Sequence, residues 1–307
     1  MTELPTSESP PRPVALLIAR ATLLAYPELL PELLSRIERL DLRALIFFLE
    51  RESDVDAAMR STVAYKVCAA IAAARPSETC IATLQRSRIP VILYNCFSRG
   101  GVATTVSCDH AECGRTLANL LMNGAHRRFG IISSPSDSPV GEERIKGVLE
   151  VLRARGALAA EIVQGDYSHG SGGPALDELF KRMKPRPSAV IAANDAMAIG
   201  ALDRAVQLGV RVPRDLSIVG FDGTQAASWP SHQLTTMRQP LARMADAALE
   251  LLRKVLEDPE SAPETRLFGA QLVPGRTARF APRRRRAAGL AALSAPDMQP
   301  FANVKNS

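Results

Sequence analysis

The sequence predicts an α/β fold of two doubly wound parallel-sheet lobes. Three observations carry this. Short apolar runs alternate with stretches of helical period, the pattern of strand–helix–strand units. Several runs are continuously apolar, as expected for strands covered on both faces. The alternation restarts near Phe129, which favours two lobes over one sheet.

In chain order, strands are expected over 14–19, 42–49, 67–73, 91–94, 104–108, 129–133, 161–164, 189–193 and 217–221. Helices are expected between them. One over 113–122 ends at Asn123-Gly124, and one over 142–155 ends at Gly156. One over 196–208 ends at Gly209 with Pro213 beyond, and one over 241–256 closes at Asp258-Pro259. Gly and Pro stop helices because Gly accepts a left-handed backbone and Pro cannot continue the hydrogen-bond ladder. No repeat of fixed period is visible.

Composition narrows the class. Apolar residues are 46% and charged residues 23% of the 307, an ordinary globular mix that excludes whole-chain disorder, collagen and coiled coil. Aromatics are only 5%, so the core must be aliphatic. The net charge of +6 includes the run Arg283, Arg284, Arg285 and Arg286, so the rest is mildly basic and demands no nucleic-acid groove. The cysteines Cys68, Cys80, Cys96, Cys108 and Cys113 are odd in number and form no C-x-x-C, which suggests reduced thiols in the cytoplasm. The Pro-rich, acidic start lacks a signal-peptide pattern, and no apolar run is long enough for a membrane span. The dinucleotide glycine fingerprint, the P-loop and the G-x-S-x-G elbow are absent, and the four histidines are scattered. No cofactor, metal or enzymatic activity is expected.

Ligands of open α/β sheets sit at the carboxyl ends of the strands. Asn95, Asp109, Glu112, Asn194, Asp195 and Asp222 all follow predicted strands. Tyr167 follows the strand at 161–164 through Gly165-Asp166, and Arg144 opens the helix after 129–133. Each has an ordinary alternative. Asn194 or Asp195 suits a helix cap, Asp222-Gly223 a turn, and Arg144 a surface ion pair with Glu142, Glu143 or Glu150. Together they have the makeup of a site for a hydroxyl-rich ligand: carboxylates and amides, an Arg fork and an aromatic face.

From Ile89 to Arg279 the chain resembles the ligand-binding core of the lactose-repressor family of transcription regulators. The matching stretches are IPVILYN, VSCDHAECGRTLANLLMNGAHRR, ERIKGVLEVLRARG, VQGDYS, ANDAMAIGAL, GVRVPRDLSIVGFD and LTTMRQPLARM, in that order. Residues 14–73 fit only loosely. The resemblance implies a type I periplasmic-binding-protein-like fold, two lobes joined by a three-strand hinge crossed near Gly124, Gln239 and Phe268. It implies a leader over 1–12, an N-terminal lobe of 13–124 plus 240–268, a C-terminal lobe of 125–239 plus 269–281, and a basic tail over 282–307. The ligand residues it implies are Arg144, Tyr167, Asn194, Asp222, Gln239, Glu112 and Asp109.

Three departures suggest altered cleft chemistry: His110 stands where the family has Asn, Cys96 where Arg is frequent, and Gly223 where a second Asp is usual. The family's helix-turn-helix headpiece does not fit into the dozen residues before Val14. The expected function is therefore an effector-sensing, dimerising core: a cytoplasmic homodimer that takes a sugar or similar polar metabolite. Operator DNA is a partner only where a headpiece is supplied upstream or by another subunit. The alternative is a stand-alone small-molecule binding protein without DNA-binding activity.

Overall fold

The computed structural model describes residues 13–98, 100–136 and 138–280. The expected leader, the basic tail and the Arg283–Arg286 run lie outside the described residues.

The elements in order are β1 (Val14–Ala19), α1 (Arg20–Ala25), α2 (Leu29–Glu38), β2 (Ala44–Leu49), α3 (Val55–Thr62), β3 (Ala69–Ala73), α4 (Glu78–Arg86), β4 (Val91–Tyr94) and β5 (Thr104–Cys108). Then follow α5 (His110–Asn123), β6 (Arg128–Ser133), α6 (Pro139–Ala154), β7 (Ala159–Gln164), α7 (His169–Arg182), β8 (Ala189–Ala192) and α8 (Asp195–Gln207). The chain closes with β9 (Ser217–Val219), α9 (Gln225–Ser228), β10 (Thr236–Arg238), α10 (Leu241–Glu257), β11 (Thr265–Phe268) and β12 (Gln271–Val273).

Two parallel sheets form two lobes. The first has the order β11-β5-β4-β3-β1-β2 and the second β7-β6-β8-β9, while β10 and β12 pair antiparallel beside the second. Alternate residues of β1 serve opposite faces of the first sheet. Ala15 and Leu17 pack with Val55, Met59 and Ile81 beneath α3 and α4. Val14, Leu16 and Ile18 join the larger core that continues into the second lobe. Helix α10 covers that side, against α2, β4 and β5.

The chain crosses between lobes three times. It leaves the first lobe at the end of β5, returns between β10 and α10, and leaves again between β11 and β12. The first crossing lies at Asp109-His110, not near Gly124. Helix α5 runs along α6 of the second lobe, and its close approach depends on missing side chains. A Cβ on Gly114 would stand 2.1 Å from the Arg144 carbonyl oxygen, and one on Gly147 2.0 Å from that of Ala111. Such distances admit only glycine.

Helix starts also differ from the expected ones. Helix α5 begins three residues early because the Asp109 side chain accepts the Glu112 amide, and α6 begins at Pro139 because Ser138 accepts from Gly141. The strand expected over 217–221 stops at Val219, where the chain turns to bridge β10.

Candidate functional site

The order of each sheet reverses once, beside β1 in the first and beside β6 in the second. At such a switch point neighbouring connections leave in opposite directions and open a crevice at the strand ends. A cavity of about 320 Å³ lies where the two crevices meet. Its first-lobe wall includes Tyr26, Ala73, Ala74, Arg75, Asn95 and Cys96, and its second-lobe wall includes Ser138, Arg144, Tyr167, Asn194 and Asp222.

Arg144 is the centre of the second wall, only 2% exposed. One terminal nitrogen donates to the Ala193 carbonyl oxygen at 2.6 Å, and the other to Asp222 Oδ1 at 2.7 Å. The guanidinium also stands 5.0 Å from the Phe221 ring centre. Tyr26, from the first lobe, donates its hydroxyl proton to Asp222 and accepts from Gln239 Nε2, while Arg144 reaches the same oxygen at 3.3 Å. Four side chains from both lobes and the second crossing thus share one buried network.

Burial sets the electrostatics. Burial opposes the Arg144 charge, but Asp222 and the two tyrosines outweigh it and hold its pKa well above the usual value. Burial raises Asp222 despite the Arg144 guanidinium beside it. Asp195, fully buried behind Asp222, is pushed up to about 7 by burial and then by the Asp222 charge. It accepts from the Thr224 amide at 2.8 Å and from the Thr236 hydroxyl, so it ties the Asp222 turn in place. The helix cap is its neighbour: Asn194 Oδ1 accepts the Met197 amide at 2.9 Å. The Asn194 amide nitrogen donates to the Tyr167 carbonyl oxygen at 2.9 Å, and the Tyr167 hydroxyl meets Ser138 at 2.6 Å.

Of the residues expected from sequence, Arg144, Tyr167, Asn194 and Asp222 line the cavity, and Gln239 reaches it through Tyr26. Asp109 and Glu112 do not. Asp109 caps α5, and Glu112 pairs with Arg115 at 2.7 Å on an exposed face. Arg144 pairs with Asp222, not with a glutamate of its own helix. Tyr26 was missed, although the strand-end rule applied to β1 points to its loop. Asn95 accepts from His110 Nε2 at 3.0 Å. Burial and then Arg144 hold that imidazole well below its ordinary value, so it is neutral. Among the described residues no cluster of side chains is arranged to hold a metal ion.

Two crevices facing one cavity leave room for a small molecule between the lobes. A family model described as a periplasmic binding protein-like domain matches residues 118–278, and the chain belongs to that family. It is 31% identical over 191 residues to the transcriptional repressor CytR of Escherichia coli (strain K12), covering 62% of this chain and 56% of CytR. It is 35% identical over 167 residues to the repressor PurR of Proteus mirabilis, covering 53% and 49%. The chain spans about half the length of these curated relatives. Both relatives are transcriptional repressors. In fold it is similar to a LacI transcriptional regulator from a Rhodococcus species, with a TM-score of 0.77 at 23% identity over 87% of this chain and 98% of that one. The cellobiose complex of the regulator CelR also gives 0.77 at 23% identity, over 88% and 86%.

Proposed function

We propose that this chain is the effector-sensing and dimerising core of a cytoplasmic transcription regulator, and that a sugar or similar polar metabolite binds between the lobes. One observation carries the reading. The Arg144–Asp222–Tyr26–Gln239 network joins both lobes and one crossing at the wall of the cavity. A ligand whose hydroxyls replace the Tyr26 hydroxyl on Arg144 and Asp222 changes what ties the lobes together. Its preference for one lobe arrangement is then a free energy that biases DNA affinity by linkage. The CytR and PurR likeness and the cellobiose in CelR favour this use of the fold.

The dimer reading rests on edge strand β2, which leaves Ile46 and Phe48 exposed on one face. Exposed large apolar neighbours on an edge strand favour pairing with a second copy.

The test is thermal denaturation with cellobiose, ribose and nucleosides. A true effector at a hundredfold excess over its Kd stabilises by about 2.7 kcal/mol. Arg144→Ala is expected to lose that shift. A full shift in both Arg144→Ala and Asp222→Ala overturns the site, and no shift with any of these compounds overturns the ligand class. Sedimentation of wild type and Phe48→Glu tests the dimer; a wild type that sediments as a monomer overturns it.

A further inference from the structure

We propose that Cys108 and Cys113 form an oxidisable dithiol across the first interlobe crossing, and that a hydroperoxide converts it to a disulfide that restrains the lobes. Cys108 is the last residue of β5 in the first lobe, and Cys113 lies in the opening turns of α5, which packs on the second. The crossing residues Asp109 and His110 lie between them. Both thiols are buried, with their sulfurs 3.7 Å apart. A disulfide needs about 2 Å, so the sulfurs must close by less than the length of one further bond. No backbone crossing has to be undone, because the ring formed spans only residues 108–113.

The two sulfurs are chemically unequal. Either thiol can donate in this contact; with Cys108 as donor, Cys113 is lowered, with Arg144 and the Ala270 amide assisting and burial and Asp109 opposing. Cys108 is raised. Cys113 is taken as the attacking sulfur because it lies in the opening turns of α5, where a helix N-terminus favours a thiolate. Ala270 belongs to the third crossing, so this sulfur touches two of the three strands of the hinge.

The chemistry balances. The Cys113 thiolate attacks one oxygen of the hydroperoxide, the O–O bond breaks, and the alcohol leaves after taking up a proton. Cys113 is then a sulfenic acid. The Cys108 sulfur attacks it, the S–S bond forms, and water departs with the Cys108 proton. Two thiols lose two electrons to the peroxide. The link closes a covalent ring over the first crossing, which limits how far the end of β5 can turn against α5. Both sulfurs are buried, so the oxidant reaches them through local opening of the surrounding structure.

The test treats the reduced full chain with hydrogen peroxide, alkylates it in denaturant, and maps tryptic peptides. Cleavage after Arg99 and Arg115 releases residues 100–115, with both cysteines in one peptide. The expected product has lost two hydrogens and takes up alkylating reagent only after reduction. Dimedone is expected to label peroxide-treated Cys108→Ser at Cys113 and to leave Cys113→Ser unlabelled at Cys108. Amide exchange around Gln239 and Ala270 should slow on oxidation of the wild type but not of Cys113→Ser. A peptide that stays fully alkylatable, or that carries a sulfinic acid in place of the disulfide, overturns the proposal. A disulfide that leaves hinge exchange unchanged overturns the restraint. The wild-type measurement decides even where a variant fails to fold, and none of these readouts needs the effector.

Discussion

Arg144, Asn194 and Asp222 on one wall of the cavity are all engaged in hydrogen bonds within the protein. Ala73, Ala74 and Cys96 on the facing wall are small and offer little to orient a ligand. The same wall also carries the polar side chains of Glu52, Arg75 and Asn95, and Tyr26 inserts into the polar network of the second lobe. The difference separates two tasks. The polar wall is fixed in place before any ligand arrives, at the cost of burying charge. The small side chains of the facing wall set the room available. Differential binding to two lobe arrangements then acts through the one hydroxyl that bridges the walls.

The largest expected effect breaks the polar wall outright. Asp222→Ala leaves the Arg144 guanidinium buried without its carboxylate and is expected to cost about 3–5 kcal/mol in urea denaturation. The double variant Arg144→Met/Asp222→Leu should cost less than either single change, since both charges leave together. A loss under about 1 kcal/mol for Asp222→Ala would show that the pair is not buried as described.

Next comes the support of that wall rather than its chemistry. Gly147→Ala forces a Cβ against the Ala111 carbonyl oxygen and must push α5 from α6, at about 1–3 kcal/mol. Arg144 lies on the same helix, so the ligand-induced shift should weaken too.

Tyr26→Phe sharpens the comparison from the other lobe. It removes the bridging hydroxyl and leaves Gln239 Nε2 without its acceptor, at about 1–3 kcal/mol in the same denaturation measurement. The cavity wall of the second lobe stays intact, so ligand binding should survive while its effect on the opposite lobe weakens. Equal loss of binding in Tyr26→Phe and Arg144→Ala would erase the distinction between the walls.

The mildest probe is pH. Asp195 is raised from 3.8 to about 7 in the folded state, so that state holds the proton where the unfolded chain has released it. Its stabilising contribution is complete below the unfolded value and is lost as pH rises through about 7. Asp222 shifts in the same direction. Melting temperature should therefore decline as pH rises toward and through neutrality, and Asp195→Asn should flatten part of the decline. An unchanged slope in that variant would assign the decline to other groups.

Legibility in the sequence followed the same division. The strands at 14–19, 91–94 and 104–108 are observed over the same residues; the first two are continuous apolar runs, which admit few other structures, while the third, TTVSC, is rich in β-branched residues. Arg144, Tyr167, Asn194 and Asp222 were named from their positions at strand ends and from the repressor resemblance, and they line the cavity. Asp109 and Glu112 obeyed the same strand-end rule and lie elsewhere. The rule gives the end of the strand, but a cap and a surface ion pair satisfy it equally well. Helices α1, α2, α3, α4, α7 and α9 went unassigned, as did strands β10, β11 and β12. A three-residue strand such as β10 carries too little pattern to stand out.

The sequence by itself determined the two sheets, their aliphatic strands and the family of the core, because periodicity and motif order are local properties. Tertiary structure alone decided where the chain first changes lobe, since only the packing of α5 on α6 assigns that helix to the second. It alone decided that Arg144 spends its charge on Asp222, 78 residues away, with Tyr26 and Gln239 from distant parts of the chain closing the network. Partners that far apart leave no periodic trace. Their pairing exists only where the folded backbone excludes water and makes each buried polar group find another.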